Sequence, residues 1–360
     1  MESVYIHIPF CKTICSYCDF CKVLYHGPWI NSYLNALLKE IHTRYEGEEI
    51  KTLYIGGGTP SILNTKELKY LLEIIKVFNL NKLEEFTIEC NLNDINEELL
   101  DILKENKVNR ISIGIESFNE NKLSFMERSH TYEEAQEKIE LIRSKGFNNI
   151  NIDLIYGIPN ETIKDLKKDL ELFLNLKPDH ISTYSLIIED NTKIGIQNTL
   201  PIEEELDREM YDLICKKLED KDYNHYEVSN FCLPGKESKH NLQYWNNNEY
   251  YGFGLGASGY IHGVRYENTR SLTNYIKGKT TLKEEIISKE DRMYNEIMLG
   301  LRKIEGINCR DFYKKYNVYI QDAFNIEECI KEQELIYEDD YLYINPEYIY
   351  VMNEILIKIL

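Results

Sequence analysis

A regular alternation of short apolar segments with amphipathic segments is the feature of this sequence that most constrains its fold. The apolar segments have the length of strands, and the segments between them repeat their apolar residues with the period of an α-helix. Such alternation predicts a parallel sheet with helices packed outside it. The predicted strands are residues 4–8, 52–56, 86–91, 110–117, 149–156 and 180–186, and the predicted helices are residues 29–44, 68–78, 99–106, 132–145 and 166–176.

Polar residues of these six βα units fall consistently at the ends of the predicted strands. In parallel α/β barrels the carboxyl ends of the strands form the functional face, so we expect these residues to converge on one rim. Six units are fewer than the eight of a closed barrel. We therefore predict an α/β protein with a partial (β/α)6 barrel in residues 1–230, an extension in residues 231–290 and a smaller mixed α+β C-terminal domain in residues 291–360.

Three cysteines follow the first predicted strand with the spacing C-x3-C-x2-C: Cys11, Cys15 and Cys18. Three thiolates can hold a [4Fe-4S] cluster and leave its fourth iron without a protein ligand. A zinc site usually has a second ligand pair a dozen or more residues away, whereas the next cysteine after Cys21 is Cys90. Disulfides would require an oxidising compartment, and the total of nine cysteines is odd. The spacing therefore favours an iron–sulfur cluster over zinc or disulfides. We expect Cys21 not to be a cluster ligand, because a fourth thiolate would occupy the iron that the other three cysteines leave open.

Charge and hydropathy restrict the partners of the chain. Its formal net charge is −19, which would repel the phosphate backbone of a nucleic acid. The N-terminus lacks a basic leader with a long apolar core, and no apolar stretch has the length of a membrane-spanning helix. We therefore expect a soluble, cytoplasmic protein that binds no nucleic acid. Homodimerisation and peripheral contact with a membrane are left open.

Four further motifs accompany the cysteines, and together they cover nearly the whole chain. They are GGGTP at 56–60, GIESFN at 114–119, DLIYGIP at 153–159 and HNLQYW at 240–245. With the cysteine motif, this set resembles the coproporphyrinogen-oxidase-like branch of the radical SAM superfamily. The resemblance implies that Cys11, Cys15 and Cys18 bind the cluster and that S-adenosylmethionine (SAM) binds beside it. The residues expected around SAM are Tyr5, Tyr17, Gly57, Gly58, Thr59, Glu89, Glu116, Arg128 and Asp153.

These residues suit the chemistry of SAM. Glycines allow close approach of the backbone to a ligand, and Arg128 could form a bidentate pair with the SAM carboxylate. The carboxylates of Glu89, Glu116 and Asp153 could accept hydrogen bonds from ribose hydroxyls or other cofactor groups. Alternatively, each carboxylate caps a helix or pairs with a surface lysine. Glu116 departs from the pattern of the branch, which has Gln at this position.

Two kinds of protein within this branch must be separated. Oxygen-independent coproporphyrinogen III dehydrogenases have an N-terminal extension and a further cysteine, whereas only ten residues precede Cys11 here and Phe20 occupies the position of that cysteine. The HNLQYW motif is typical of the haem chaperones of the branch. The resemblance thus implies a protein that binds haem as cargo and delivers it to apo-haemoproteins such as respiratory enzymes. Reductive cleavage of SAM is expected, coproporphyrinogen oxidase activity is not, and no catalytic residue is assigned.

Two other functions remain as alternatives: radical decarboxylation of coproporphyrinogen III to protoporphyrinogen IX, and a zinc-stabilised binding module. Within the haem-chaperone hypothesis, His240 is a candidate haem ligand, because neutral imidazole is a common axial ligand of haem iron. A His-Asn pair beside two aromatic residues could equally form a buried joint between the barrel and the C-terminal part. Haem could also bind through a cysteine such as Cys232.

Overall fold

A nine-stranded sheet forms the centre of the computed structural model, which describes residues 1–360. Small sheets of two or three strands hold the other strands. In chain order the strands are β1 (Ser3–Ile8), β2 (Phe10–Cys11), β3 (Val23–Leu24), β4 (Thr52–Gly57), β5 (Glu85–Asn91), β6 (Arg110–Glu116), β7 (Ile150–Tyr156), β8 (His180–Ser185), β9 (Asn224–Glu227), β10 (Asn230–Cys232), β11 (Tyr251–Phe253), β12 (Ser258–Ile261), β13 (Val264–Asn268), β14 (Thr281–Ile286), β15 (Ile307–Asn308), β16 (Leu335–Glu338) and β17 (Tyr341–Ile344).

Helices connect the strands and cover the sheet. Several begin at a capping box, in which the N-cap side chain and the third helical residue bind each other's backbone N–H, as at Asn64 and Thr131. In chain order the α-helices are α1 (Gly27–Arg44), α2 (Thr65–Ile75), α3 (Glu97–Glu105), α4 (Glu120–Phe125), α5 (Tyr132–Ser144), α6 (Ile163–Asn175), α7 (Lys193–Ile196), α8 (Glu204–Glu219), α9 (Lys239–Trp245), α10 (Leu272–Ile276), α11 (Lys289–Gly300), α12 (Cys309–Tyr316), α13 (Ile320–Ala323), α14 (Glu327–Lys331) and α15 (Met352–Ile359), with 3₁₀ helices at Pro60–Ile62, Leu92–Asp94 and Pro346–Val351.

The order of the large sheet is β11-β1-β4-β5-β6-β7-β8-β10-β9. The six predicted strands are therefore neighbours in chain order, and all of them are parallel. A seventh parallel strand, β11, adds beside β1, and β10 and β9 close the other edge in antiparallel register. The sequence pattern does not predict β11, because this strand is three residues long and Gly252 is at its centre. Residues 231–290, assigned to an extension from the sequence, thus supply a strand to the large sheet.

The C-terminal part has its own antiparallel sheet, β15-β17-β16, packed with helices α11 to α15. Its buried side chains are continuous with those of the barrel, so one hydrophobic cluster runs from Val4 to Ile359. No helix of the structure combines the length and the apolar character that crossing a membrane requires.

Candidate functional site

The cysteine loop leaves the sheet directly after β1 and is closed by a two-stranded pair. Strand β2, which ends at Cys11, runs parallel to β3. The N–H of Val23 donates to the carbonyl of Pro9 at 2.8 Å, and the N–H of Tyr25 donates to the carbonyl of Cys11 at 2.8 Å. The backbone between Cys11 and Val23 is therefore held as one loop at the carboxyl end of the barrel strands.

Contacts to the opposite side of the barrel fix the middle of this loop. Ser16 is buried, its hydroxyl donates to the carbonyl of Phe125 at 2.7 Å, and its own carbonyl accepts from the N–H of Ile194 at 3.2 Å. The Tyr17 hydroxyl donates to Glu116 Oε1 at 3.0 Å. The loop thus crosses the mouth of the barrel from β1 to the helices that follow β6 and β8.

Cys11, Cys15 and Cys18 line one cavity of about 170 Å³ at this end of the barrel. No three His, Cys, Asp or Glu side chains of the structure converge closely enough to hold a single metal ion. The available donor atoms are cysteine sulfurs, which suit an iron–sulfur cluster. Eight of the nine residues expected around SAM line the same cavity, and Tyr5 does not; the eight are Tyr17, Gly57, Gly58, Thr59, Glu89, Glu116, Arg128 and Asp153.

The environment of the three thiols is consistent with a cluster site. Thr59 Oγ1 lies 3.7 Å from Cys11 Sγ, and Arg128 Nη1 lies 3.7 Å from Cys15 Sγ. Burial raises the pKa of the Cys11 thiol to about 11, and it also raises the pKa of Cys15 despite the opposing charge of Arg128. Ligation requires the thiolate form. Bound iron would supply the positive charge that this buried site needs to hold three thiolates.

Glu116 and Arg128 form a buried pair beside Cys15. Arg128 Nε lies 3.0 Å from Glu116 Oε2, and the guanidinium also donates to the carbonyl of Gly114. Glu116 is 6 % exposed, and burial raises the pKa of its carboxyl to about 7 although Arg128 opposes the shift. Its φ of 64° lies in the left-handed region, which is uncommon for a residue other than glycine and recurs at functional sites. The carboxylate that replaces the usual Gln thus binds Arg128 within the protein.

A network centred on Lys122 holds the turn that follows Glu116. The carboxylate of Asp169 accepts from the Ser117 hydroxyl at 2.5 Å and from the N–H of Phe118 at 2.9 Å. Lys122 Nζ lies 3.0 Å from Asp169 and 2.6 Å from Glu161. All three charged side chains are buried. We call Lys122, Glu161 and Asp169 the Lys122 network.

Glu89 lies at the end of β5 and connects two neighbouring strands. It accepts from the Tyr54 hydroxyl at 2.8 Å and from the N–H of Gly57 at 2.9 Å. Burial raises the pKa of Glu89 to about 7, although both hydrogen bonds oppose the shift. Gly57 has a φ of 112°, and a Cβ there would lie 2.3 Å from the ring of His7. The glycine is therefore required by packing and backbone conformation within the protein itself.

Tyr5 and His240 lie away from the cysteine cavity. The Tyr5 hydroxyl binds His7 Nδ1 at 2.9 Å, in the wall of a neighbouring cavity that Cys21 also lines. His240 is buried on α9, where Nδ1 binds Thr52 Oγ1 at 3.0 Å and Nε2 binds the Tyr244 hydroxyl at 2.7 Å. Burial lowers the pKa of His240 to about 3. Haem ligation by His240 stays a prediction, and it would require one of these hydrogen bonds to break.

A second cavity of about 460 Å³, which we call the large cavity, shares part of its wall with the cysteine cavity. The residues that line both cavities include Tyr17, Glu89 and Asp153. Asp153 Oδ1 accepts from the Asn151 amide at 2.9 Å, and burial raises the pKa of Asp153. Most residues of this wall belong to none of the sequence motifs. Their signal in the sequence is the period of two along each strand, which points polar side chains into the barrel. The unpredicted polar residues of the wall include Tyr54, Arg110, Ser112, Asn151, Ser182 and Tyr184.

Comparison with known proteins agrees with this geometry. Residues 5–173 match the radical SAM superfamily, and residues 287–349 match the HemN C-terminal domain. The protein named heme chaperone HemW in Lactococcus lactis subsp. lactis (strain IL1403) is 44% identical to this chain, over 94% of this chain and 91% of the relative. The protein of the same name in Bacillus subtilis (strain 168) is 38% identical to this chain, over 94% of each. The HemW protein of Escherichia coli (strain K12) is 31% identical over 84% of this chain and 83% of the relative.

Among solved structures, coproporphyrinogen III oxidase (HemN) from Escherichia coli, described as a radical SAM enzyme, matches with a TM-score of 0.87. The match covers 99% of this chain and 89% of that chain at 20% identity. Similarity at this identity establishes the fold alone. The expected fold class, a partial radical SAM barrel with a smaller C-terminal domain, is confirmed.

Proposed function

Because this chain belongs to the HemW family of radical SAM haem chaperones, we propose that it binds a [4Fe-4S] cluster, SAM and haem and delivers haem to apo-haemoproteins. The observation that carries the proposal is the convergence of Cys11, Cys15 and Cys18 with eight of the nine expected SAM residues on one cavity. These residues come from β1, β4, β5, β6 and β7 and from the segments that follow them.

A [4Fe-4S] cluster held by three cysteines supplies an open iron, to which the amine and carboxylate of SAM can bind. The protein contributes the surroundings of that iron. Thr59 and Arg128 lie beside two of the thiols and can donate hydrogen bonds to their sulfurs. Glu89 and Asp153 lie where the cysteine cavity meets the large cavity, and their carboxyl oxygens suit ribose hydroxyls. Glu116 keeps Arg128 in place.

The proposal also covers where the chain works and what it binds. We place the chain in the cytoplasm, because Cys11, Cys15 and Cys18 must remain reduced to bind iron. Its partners are haem and apo-haemoproteins, respiratory enzymes among them. Coproporphyrinogen oxidase activity is not part of the proposal, since the relatives that show the family are named haem chaperones.

The test uses the full chain, purified without oxygen and reconstituted with iron and sulfide. We expect about four irons and four sulfides per chain, a visible absorption band that disappears on chelation, and saturable binding of SAM and haem. Transfer is measured by mixing the haem-loaded chain with apomyoglobin and following the Soret band. Retention of haem by the chain, or conversion of coproporphyrinogen III to protoporphyrinogen IX, would contradict the proposal; the second result would support the oxidase alternative.

A further inference from the structure

Arg110 is a buried cation that belongs to no ion pair of the structure. It lies at the start of β6, is 2 % exposed and lines the large cavity. Its Nε has no hydrogen-bond partner. We propose that Arg110 binds a carboxylate of a ligand held in the large cavity, and that this carboxylate is a propionate of haem. This inference rests on the proposed function, since haem is the cargo named there.

The other buried cations of the barrel show what Arg110 lacks. Lys122 is paired with Glu161 at 2.6 Å and with Asp169 at 3.0 Å, and Arg128 is paired with Glu116 at 3.0 Å. No such ion pair includes Arg110. A buried charge without a hydrogen-bonded partner is unfavourable, so a site of this kind is expected to receive an anion. The planar guanidinium fork matches a carboxylate in particular, because it can donate two parallel hydrogen bonds.

Two neutral groups in the same wall can complete the binding of a carboxylate. The Ser112 hydroxyl accepts from the Asn151 amide at 2.8 Å, which leaves its own hydrogen free to donate. The side-chain amide of Asn241 lines the cavity and forms no hydrogen bond within the protein. Arg110 and Ser112 lie on β6 and Asn241 lies on α9, and all three line this cavity.

Five acidic residues line the large cavity, and one of them, Glu116, is paired with Arg128; the other four are Asp19, Glu89, Asp153 and Glu189. Glu89 and Asp153 line the same wall, and burial raises the pKa of both carboxyl groups, that of Glu89 to about 7. The negative charge of Glu89 near neutral pH is thereby reduced, although the charge of Arg110 lowers the pKa of both groups. Glu89 is also bound to Tyr54 and Gly57, so it is not free to turn towards Arg110.

Apolar side chains at the cavity distinguish the source of the carboxylate. Phe20 is 69 % exposed, Ile187 is 70 % exposed, and both line the large cavity with Tyr184 and Leu186. Exposed apolar groups of this kind suit a flat, apolar macrocycle rather than a small zwitterion. The carboxylate of SAM is moreover used at the open iron of the cluster in the proposed function. A molecule with an apolar body and a carboxylate arm matches both the apolar and the cationic residues that line the cavity.

The test compares haem with haem dimethyl ester, in which both propionates are blocked. The full chain with its reconstituted cluster is titrated with each compound, and the Soret band is followed. A hydrogen-bonded charge pair predicts that the wild-type chain binds the ester about 10- to 100-fold more weakly than haem. Arg110→Gln should weaken haem binding by the same factor and leave binding of the ester unchanged. Arg143→Gln is the control, because Arg143 pairs with Asp179 outside the cavity.

Each result decides the inference. Equal affinity of the wild-type chain for haem and its ester overturns it without any variant, and the proposed function then stands. A preference for haem that persists in Arg110→Gln overturns the assignment to Arg110. Loss of labelled-SAM binding in Arg110→Gln with an unchanged preference for haem would assign the site to the SAM carboxylate instead. Failure of the wild-type chain to bind either porphyrin overturns both this inference and the proposed function.

Discussion

Replacing Lys122 with Met would leave two buried carboxylates without their cation. Lys122, Glu161 and Asp169 are 4 %, 5 % and 1 % exposed, and Lys122 lies within 3.0 Å of both acids. Removal of one partner of a buried pair typically destabilises a protein by about 3–5 kcal/mol, because the remaining charge is uncompensated. We expect a loss of this size in the free energy of unfolding from urea denaturation. The loss should also loosen the turn after Glu116, because Asp169 binds Ser117 and Phe118.

Two further variants make the Lys122 experiment specific. Lys145 contacts Glu97 at 3.3 Å and Asp101 at 2.8 Å in a similar arrangement at the surface, so Lys145→Met should not measurably change stability. Neutralising the whole Lys122 network, with Glu161→Gln and Asp169→Asn added to Lys122→Met, should recover part of the loss. An unfolding free energy of Lys122→Met equal to that of the wild-type chain would refute the reasoning.

Three other outcomes are expected. Changing Cys11, Cys15 or Cys18 singly to Ala abolishes the cluster, whereas Cys21→Ala retains it. Iron analysis of each variant decides this, with circular dichroism to check that the variant is folded. Because burial raises the pKa of Glu89 from 4.5 to about 7, the folded chain keeps a proton that the unfolded chain has released, so stability falls as pH rises through this window. The drop in the urea midpoint between about pH 5 and about pH 7 should therefore be smaller in Glu89→Gln than in the wild-type chain. An equal drop in both proteins would show that Glu89 does not titrate in this range. His240→Ala removes hydrogen bonds to Thr52 and Tyr244 and should lower the melting temperature; a changed Soret spectrum at an unchanged melting temperature would instead support haem ligation by His240.

Local signals in the sequence were sufficient for the barrel and for much of its rim. The alternation of strand and helix periods predicts consecutive parallel strands, because a crossover helix returns the chain to the same side of the sheet. The carboxyl ends of such strands meet at one edge, so Glu89, Glu116 and Asp153 could be expected to converge. The spacing of the cysteines likewise indicates cluster ligands, since three thiols within eight residues can reach one cluster from a single loop.

The tertiary structure decided the features that depend on distant partners. Strand β11 pairs with β1 across some 240 residues, and nothing in the short segment Tyr251–Phe253 specifies that neighbour. His240 is a candidate ligand in the sequence, but its two nitrogens are bound to Thr52 and Tyr244 in the fold. The absence of an ion pair at Arg110 likewise could not be predicted from the sequence of β6. Whether a charged side chain is paired depends on every element packed around it, and local periodicity carries no information about that set.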